Sequence, residues 1–396
     1  MNKENTDTGI NKDKDKDKDI LSFDELNLDD NLLRGVYSYG FENPSHIQSK
    51  AIPEIIRGDD LIAQAQSGTG KTGAFSIGIL QKVKPIKETQ IIIISPTHEL
   101  ARQTVEVIKQ MSDYMKDINV LEVIGGTNIQ ESREALDKSP QIIIGTPGRI
   151  LDMIQRNYLF TDKIKTLVLD EADEILSYGF KESIYNIVKS IPTESQICLF
   201  SATMPQEIIE LTQSFMTNPK SILVKKEALT LEGITQFYIN IKINDWKYDV
   251  LTDLYDTISI AQCIIYINSK NKLIDVYNNL IRSDFPVACI HGDLSSDERK
   301  HVMKEFKSGK TRILLSTDLL SRGIDIQQLS LVINFDIPKS KETYIHRIGR
   351  SGRYGRKGVA INLVTDRDIH HMKEIESYYE TKIDEMPQNI ADYLSV

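Results

Sequence analysis

Three short segments of this 396-residue chain combine residue types that could act on a phosphate group. Ala65-Gln66-Ser67-Gly68-Thr69-Gly70-Lys71-Thr72 fits the pattern G-x-x-x-x-G-K-[ST] with Ala in the first position, and it follows the apolar Leu61-Ile62-Ala63. Glycines let such a loop curl until its backbone N–H groups face phosphate oxygens at a helix N-terminus. In that geometry Lys71 reaches the β- and γ-phosphates and the Thr72 hydroxyl ligates Mg²⁺. The alternative is a glycine-rich turn, and the alanine weakens the bare pattern. Asp170-Glu171-Ala172-Asp173 supplies the missing partner after the apolar Leu167-Val168-Leu169. Asp170, at a strand end, can hold Mg²⁺ through water. Glu171 is placed to orient and deprotonate an attacking water. Carboxylates also favour helix N-termini for purely structural reasons, but both segments in this order, each behind an apolar strand, argue for a nucleotide site.

Phosphoryl transfer needs further positive charge on the terminal phosphate, and an arginine finger can contribute about 10³–10⁵ in rate. His346-Arg347-Ile348-Gly349-Arg350-Ser351-Gly352-Arg353 offers three arginines far from Lys71 in the chain. If Arg350 and Arg353 complete the site, hydrolysis requires two domains to close. A basic patch facing RNA or solvent accounts for the same spacing equally well.

The elements that must position these groups are legible as short apolar runs: Ile91–Ile94, Ile142–Ile144, Leu167–Leu169 and Ile197–Phe200, then Ile264–Ile267, Ile313–Leu315, Leu331–Ile333 and Val359–Leu363. Runs that are apolar on both faces and separated by amphipathic stretches predict parallel strands buried between helices. Nearly every run ends in a hydroxyl- or carboxylate-rich cluster, among them Ser95-Pro96-Thr97, Ser201-Ala202-Thr203 and Ser316-Thr317-Asp318, and open parallel sheets bind ligands at the carboxyl ends of their strands. The runs fall into two groups. The expected organisation is a disordered tail over 1–20, an N-terminal α/β domain over 21–224, a linker over 225–233 and a C-terminal α/β domain over 234–396. The tail carries the alternating Lys12-Asp13 to Lys18-Asp19 run and too little apolar surface to bury.

Composition bounds the rest. Hydrophobic residues make up 40% and charged residues 27% of the chain, with a net charge of −9. Bulk coating of nucleic acid calls for a basic protein, so that mode is disfavoured. Between Lys339 and Lys357, however, seven Lys/Arg face one Glu, a local net of +6. No apolar run is long enough to span a bilayer and no leader is apparent, so a soluble intracellular protein is expected. Cys198, Cys263 and Cys289 form no CxxC pair and read as small buried hydrophobes. The adjacent His370 and His371 read as helix surface.

Asp170–Asp173 is also the signature of the DEAD-box RNA helicases, and the chain resembles that family throughout. Gly40-Phe41-Glu42-Asn43-Pro44-Ser45-His46-Ile47-Gln48 resembles its Q motif, with Phe23 as the upstream aromatic. Pro96–Ala101, Gly125-Gly126, Thr146-Pro147-Gly148-Arg149, Ser201-Ala202-Thr203, Ile265–Lys270, His291-Gly292-Asp293, Ser316–Asp325 and His346–Arg353 follow in the family's order. The likeness runs from about Phe23 to the C-terminus. Tyr344–Gly358 and Ile383–Pro387 look most like the translation initiation factor 4A subgroup and its exon-junction paralogue.

This resemblance implies two tandem RecA-like domains, ATP and Mg²⁺ as ligands, and RNA as a largely sequence-independent partner. It implies that Gln48 reads adenine while Phe41 stacks on it, and that Ala65 to Thr72 hold the phosphates. Asp325 would hold the ribose, and Arg350 and Arg353 would be finger arginines. Ser201 and Thr203, with Asp173 and His346, would couple hydrolysis to strand separation. Pro96, Gly126, Thr146, Arg149, Arg299 and Thr317 would line the RNA path. Contacts of this kind, to phosphate and sugar, carry no sequence code. His98 stands where the family usually has Arg, Ser296 where it has Gln, and Ser321 where it has Ala. The implied activity is RNA-stimulated ATP hydrolysis coupled to local duplex unwinding, in translation initiation. An ATP-gated RNA clamp for ribonucleoprotein assembly, or a DNA helicase, would carry similar motifs. The expectation extends to a monomer in the cytosol, with the nucleus left open, and to a scaffold protein linked to initiation or splicing.

Overall fold

The computed structural model describes residues 20–393 apart from 66–67, 178, 205, 223–233, 258–261, 319–328, 352–357, 388 and 391–392. The tail expected over 1–20 (all but Ile20), the linker expected over 225–233, and Gln66, Ser67, Ser321, Asp325 and Arg353 therefore lie outside the described residues.

Fourteen strands build two sheets. The first contains β1 (Leu61–Gln64), β2 (Ile91–Ile94), β3 (Val120–Val123), β4 (Ile142–Gly145), β5 (Thr166–Leu169), β6 (Gln196–Ser201) and β7 (Lys220–Ile222). The second contains β8 (Ile234–Asn240), β9 (Cys263–Tyr266), β10 (Val287–Ile290), β11 (Ile313–Ser316), β12 (Leu331–Asn334), β13 (Gly358–Val364) and β14 (Ile383–Glu385). Each sheet has seven strands, in the orders β3-β4-β2-β5-β6-β1-β7 and β10-β11-β9-β12-β13-β8-β14. Counted within its own sheet, each order is third-fourth-second-fifth-sixth-first-seventh. The two halves share one topology, and every pairing is parallel.

The continuous apolar runs are explained by layering. Successive strand residues point to opposite faces. In β2, Ile91 and Ile93 join a core under the helices His46–Arg57, Lys71–Lys82 and His98–Met111. Ile92 and Ile94 join a second core, under Pro147–Gln155 and Lys181–Ser190. All four isoleucines are essentially inaccessible. At about 1.5–3 kcal/mol for each fully buried side chain, one strand contributes several kcal/mol to holding both helix layers on the sheet. The second domain repeats the pattern, with Ile265 and Ile333 in one core and Ile264 and Val332 in another. Each domain is thus a parallel sheet between helices, a RecA-like arrangement. Only the edge strands β7 and β14 expose much of themselves.

The strand order has a consequence for function. Because every pairing is parallel, all carboxyl ends, and the loops that follow them, lie at one end of each sheet. In the first sheet the loops after β2, β3 and β4 cluster on one half of that edge, and those after β1, β5 and β6 on the other. Among the described residues no helix is long and apolar enough to cross a membrane.

Candidate active site and nucleic-acid interface

On the β1-β5-β6 half, Ala65 continues from β1 and its N–H donates to Ser201 O at 3.0 Å. Gly68 and Gly70 take φ of 84° and 101°, where a side chain would be strained. Gly70 caps the helix Lys71–Lys82, which places Lys71 and Thr72 in its first turn. A β-carbon at Gly73 would stand 2.6 Å from Gln48 Nε2 and 2.8 Å from Phe41 Cζ. The loop therefore fits closely against the Gly40–Gln48 segment.

That segment is ordered from within. Ser45 and Gln48 form a capping box at the start of His46–Arg57. The Ser45 N–H donates to Gln48 Oε1 at 2.9 Å, and Gln48 Nε2 donates to Gly70 O at 3.3 Å. One donor and one acceptor position of the amide are left for a base edge. Phe41 is half-buried, stacked on Phe23 at 6.1 Å and tilted against Tyr39 at 5.0 Å. The upstream aromatic thus fixes the ring that the sequence assigns to adenine.

Asp170 and Glu171 follow β5. Glu171 has φ 50°, a left-handed conformation that costs a non-glycine residue about 1–3 kcal/mol and concentrates at functional sites. Its carboxylate pairs with the buried Lys71 Nζ at 2.9 Å. Asp170 is also buried. Burial first, and then the neighbouring Glu171 charge, pushes its carboxyl up to about 7 against the pull of Lys71. One ammonium among these carboxylates leaves a deficit of positive charge. A hard divalent cation held by a carboxylate and a hydroxyl would make it good, so Asp170 and Thr72 suit Mg²⁺. Among the described residues no three His, Cys, Asp or Glu side chains form a metal cage. Mg²⁺ characteristically needs only one or two protein ligands, with water and phosphate oxygens completing its shell.

Asp173, Ser201, Thr203 and His346, assigned to coupling, meet in one buried group. The Thr203 hydroxyl donates to Asp173 Oδ2 at 2.6 Å, and the Asp173 N–H donates to Ser201 Oγ at 3.3 Å. His346 Nε2 lies 3.2 Å from the same Asp173 oxygen, with side-chain exposures of 0% and 2%. His346 comes from the second domain, so this contact ties the two sheets together.

The two described arginines of this segment divide. Arg350 is buried and its Nε donates to His346 O at 3.3 Å, next to the domain contact. Arg347 serves its own domain. It pairs with Asp318 at 2.6 Å, donates to Asn334, Asp336 O and Asn268, and lies 5.2 Å over the Tyr266 ring. It thereby fastens the loops after β9, β11 and β12 to one another.

Pro96, Gly126 and Thr146 follow β2, β3 and β4, on the half of the edge away from Lys71 and Asp170. In the second domain Arg299 and Thr317 follow β10 and β11, the matching third and fourth positions. Strand order alone thus separates the strand-end loops into two tracts, one on each half of the edge. Arg149 donates to Thr127 O at 3.0 Å and Thr127 Oγ1 at 3.1 Å, so it braces the loop that carries Gly126. Arg299 reaches across the cleft, its Nη1 donating to Glu99 Oε1 at 2.9 Å. Glu99 had no role assigned from the sequence, and a partner 200 residues away leaves no local signal. His98 is half-buried against Gly125, and burial lowers its pKa.

Away from the site, Cys198 and Cys263 are buried and Cys289 is half-buried. His370 is exposed, and His371 Nε2 lies 2.9 Å from Pro338 O.

The family model for DEAD/DEAH box helicases matches residues 45–211, and that for the helicase conserved C-terminal domain matches 246–355. The ATP-dependent RNA helicase eIF4A of Chaetomium globosum is 54% identical over 374 residues, covering 94% of each chain. Among solved structures, S. cerevisiae Dbp5 bound to RNA and ADP BeF3 aligns with TM-score 0.87 at 36% identity, over 94% of this chain and 97% of that one. A Dbp5 variant bound to Nup159, a Gle1 variant, IP6 and ADP reaches only 0.65 at 34% identity, over 93% and 97%.

Proposed function

The chain belongs to the DEAD/DEAH box helicase family, and on that premise we propose that it is an ATP-dependent RNA helicase of translation initiation, acting in the cytosol as a monomer. The observation that carries this reading is the buried Asp173–His346 contact, which joins the acidic nucleotide-side loop of one domain to the arginine-bearing helix of the other.

In this reading Lys71 exchanges Glu171 for the β- and γ-phosphates of ATP. The released Glu171 carboxylate then orients a water and accepts its proton. Mg²⁺, held by Thr72 and Asp170, would supply charge neutralisation on the phosphate oxygens. Gln48 reads the adenine edge with its remaining donor and acceptor, Phe41 offers its free face, and Asp325 holds the ribose. Arg350 and Arg353 reach the terminal phosphate only when the domains are together. Ser201, Thr203, Asp173 and His346 make closure and ATP occupancy interdependent. On the other tract Pro96, Gly126, Thr146, Arg299 and Thr317 grip phosphate and sugar. A strand held across both domains follows the cleft rather than an A-form path, so closure melts a few base pairs and hydrolysis releases the product. The partner expected beside RNA is a scaffold protein linked to translation initiation or splicing.

Glu171→Gln tests the assignment of the base. Steady-state ATPase with saturating RNA should fall by about 10²–10⁴-fold, while RNA-dependent binding of ATP persists. Normal turnover by this variant would remove Glu171 from the role.

A further inference from the structure

The helix Ser296–Lys307 begins at the cleft. Ser295 and Glu298 form its capping box, and Arg299 in its first turn makes the contact to Glu99. Val302, Met303 and Phe306 on one side pack on Ala288 and Ile290 of β10. Lys300, Lys304 and Lys307 stand at i, i+4 and i+7, so they share a side of their own beside the packed one, and all three are exposed. Lys310 and Arg312 continue the basic series beyond the helix and are exposed too.

The acidic residues nearby are mostly engaged elsewhere. Glu298 accepts from the Ser295 N–H at 2.7 Å, and Glu305 pairs with His301 and Lys310. Asp297 reaches Lys300 at 3.5 Å with both side chains largely in solvent, where such a pair contributes little. Among the described residues Lys304 and Lys307 have no carboxylate partner. Like charges at i, i+4 disfavour an isolated helix, so Lys300 with Lys304 works against local stability. A face built only for solubility would alternate its charges.

We propose that this face is a second RNA contact, a basic track that holds the strand after it passes Arg299 and leaves the cleft. The inference rests on the RNA reading above. Two observations converge on one occupant: the face is continuous with Arg299, and its charge complements a polyanion in a chain whose net charge is −9. The lysines carry no base-reading geometry, so the track adds affinity for long RNA without sequence preference.

The test uses the full chain with Lys300, Lys304 and Lys307 all changed to Ala, a non-hydrolysable ATP analogue, and two oligouridylates. One is short enough to fill only the cleft; the other is about three times as long, beyond the span of a single binding site. Affinities are measured against salt concentration, with melting temperature as the check on folding. The variant should lose about 2 from the log–log salt slope for the long strand, since three phosphate contacts count about 0.7 each on single strands. Its affinity for the short strand and its melting temperature should stay as in the parent. Equal weakening on both strands would place the lysines in the cleft or the fold, and no change on either would leave the face merely solvated; both results overturn the track. If the parent protein binds neither strand, the RNA reading fails first and takes the track with it.

Discussion

Removing the His346 imidazole separates domain closure from the chemistry of either domain. His346 meets Asp173 at 3.2 Å with almost no solvent on either side chain, so screening is weak and the full penalty for a lost charged hydrogen bond applies. Asp173 keeps its bond from the Thr203 hydroxyl at 2.6 Å, and its burial is unchanged within its own domain. The loss should therefore be about 2–3 kcal/mol, within the usual span for a hydrogen bond to a charged group. At about 1.4 kcal/mol per tenfold, that is roughly 30- to 150-fold in the closure equilibrium. The assay is single-strand RNA affinity measured twice on His346→Ala, with and without a non-hydrolysable ATP analogue. Affinity with the analogue should fall by that factor, and affinity without nucleotide should hold, because the coupling between two ligands appears only when both are bound. A Thr203→Val, His346→Ala double-mutant cycle should show coupling, since both side chains address one Asp173 oxygen. Equal losses with and without nucleotide would mean that His346 serves RNA or the fold directly. No loss in either would mean that the contact contributes nothing to closure.

Three further outcomes follow from the geometry. Glu99→Gln removes the charge from a second cross-domain contact, whose partners are 22% and 30% exposed; solvent screening limits the effect on the same RNA assay to about fivefold or less, and a loss as large as that of His346→Ala would refute the ranking. Gly73→Ala puts a methyl where Gln48 and Phe41 already stand; ATP should bind at least about fivefold more weakly, as expected when overpacking costs about 1–3 kcal/mol, and unchanged nucleotide affinity would mean that the Gln48–Phe41 platform is not the base site. The third concerns alkaline pH. Burial pushes the Cys198 and Cys263 thiols up to about 12 from 9.0. Between those values the unfolded chain has lost protons that the folded one keeps, so this part of the stability declines as pH rises above about 9. Melting temperature should drop less between pH 8.5 and 10.5 when both cysteines are changed to Ala, and identical slopes would refute the sign.

Local chemistry made much of the site legible. The glycine-rich loop, the Asp170-Glu171 pair and the polar strand ends are each defined by a few consecutive residues and the conformations they allow, and the structure places them at carboxyl ends of parallel strands. Apolar runs without alternation announced buried parallel strands, because a strand covered by helices on both faces has no polar side. The Ser45–Gln48 capping box was also written in a four-residue spacing, although its link to Gly70 was not.

Tertiary structure decided what no local pattern could express. It sorted the strand ends into two tracts, one on each half of the sheet edge, by a sheet order that chain order does not reveal. It divided two similar arginines, leaving Arg350 beside the domain contact and taking Arg347 into a network within its own domain. It turned Arg149 toward Thr127, and it brought Glu99 to Arg299 and Asp173 to His346 across the cleft. Spacing along a chain governs which groups share a loop or a helix face. Which groups share a buried oxygen depends on how two separately folded cores come together, and that contact free energy arises only between elements distant in sequence.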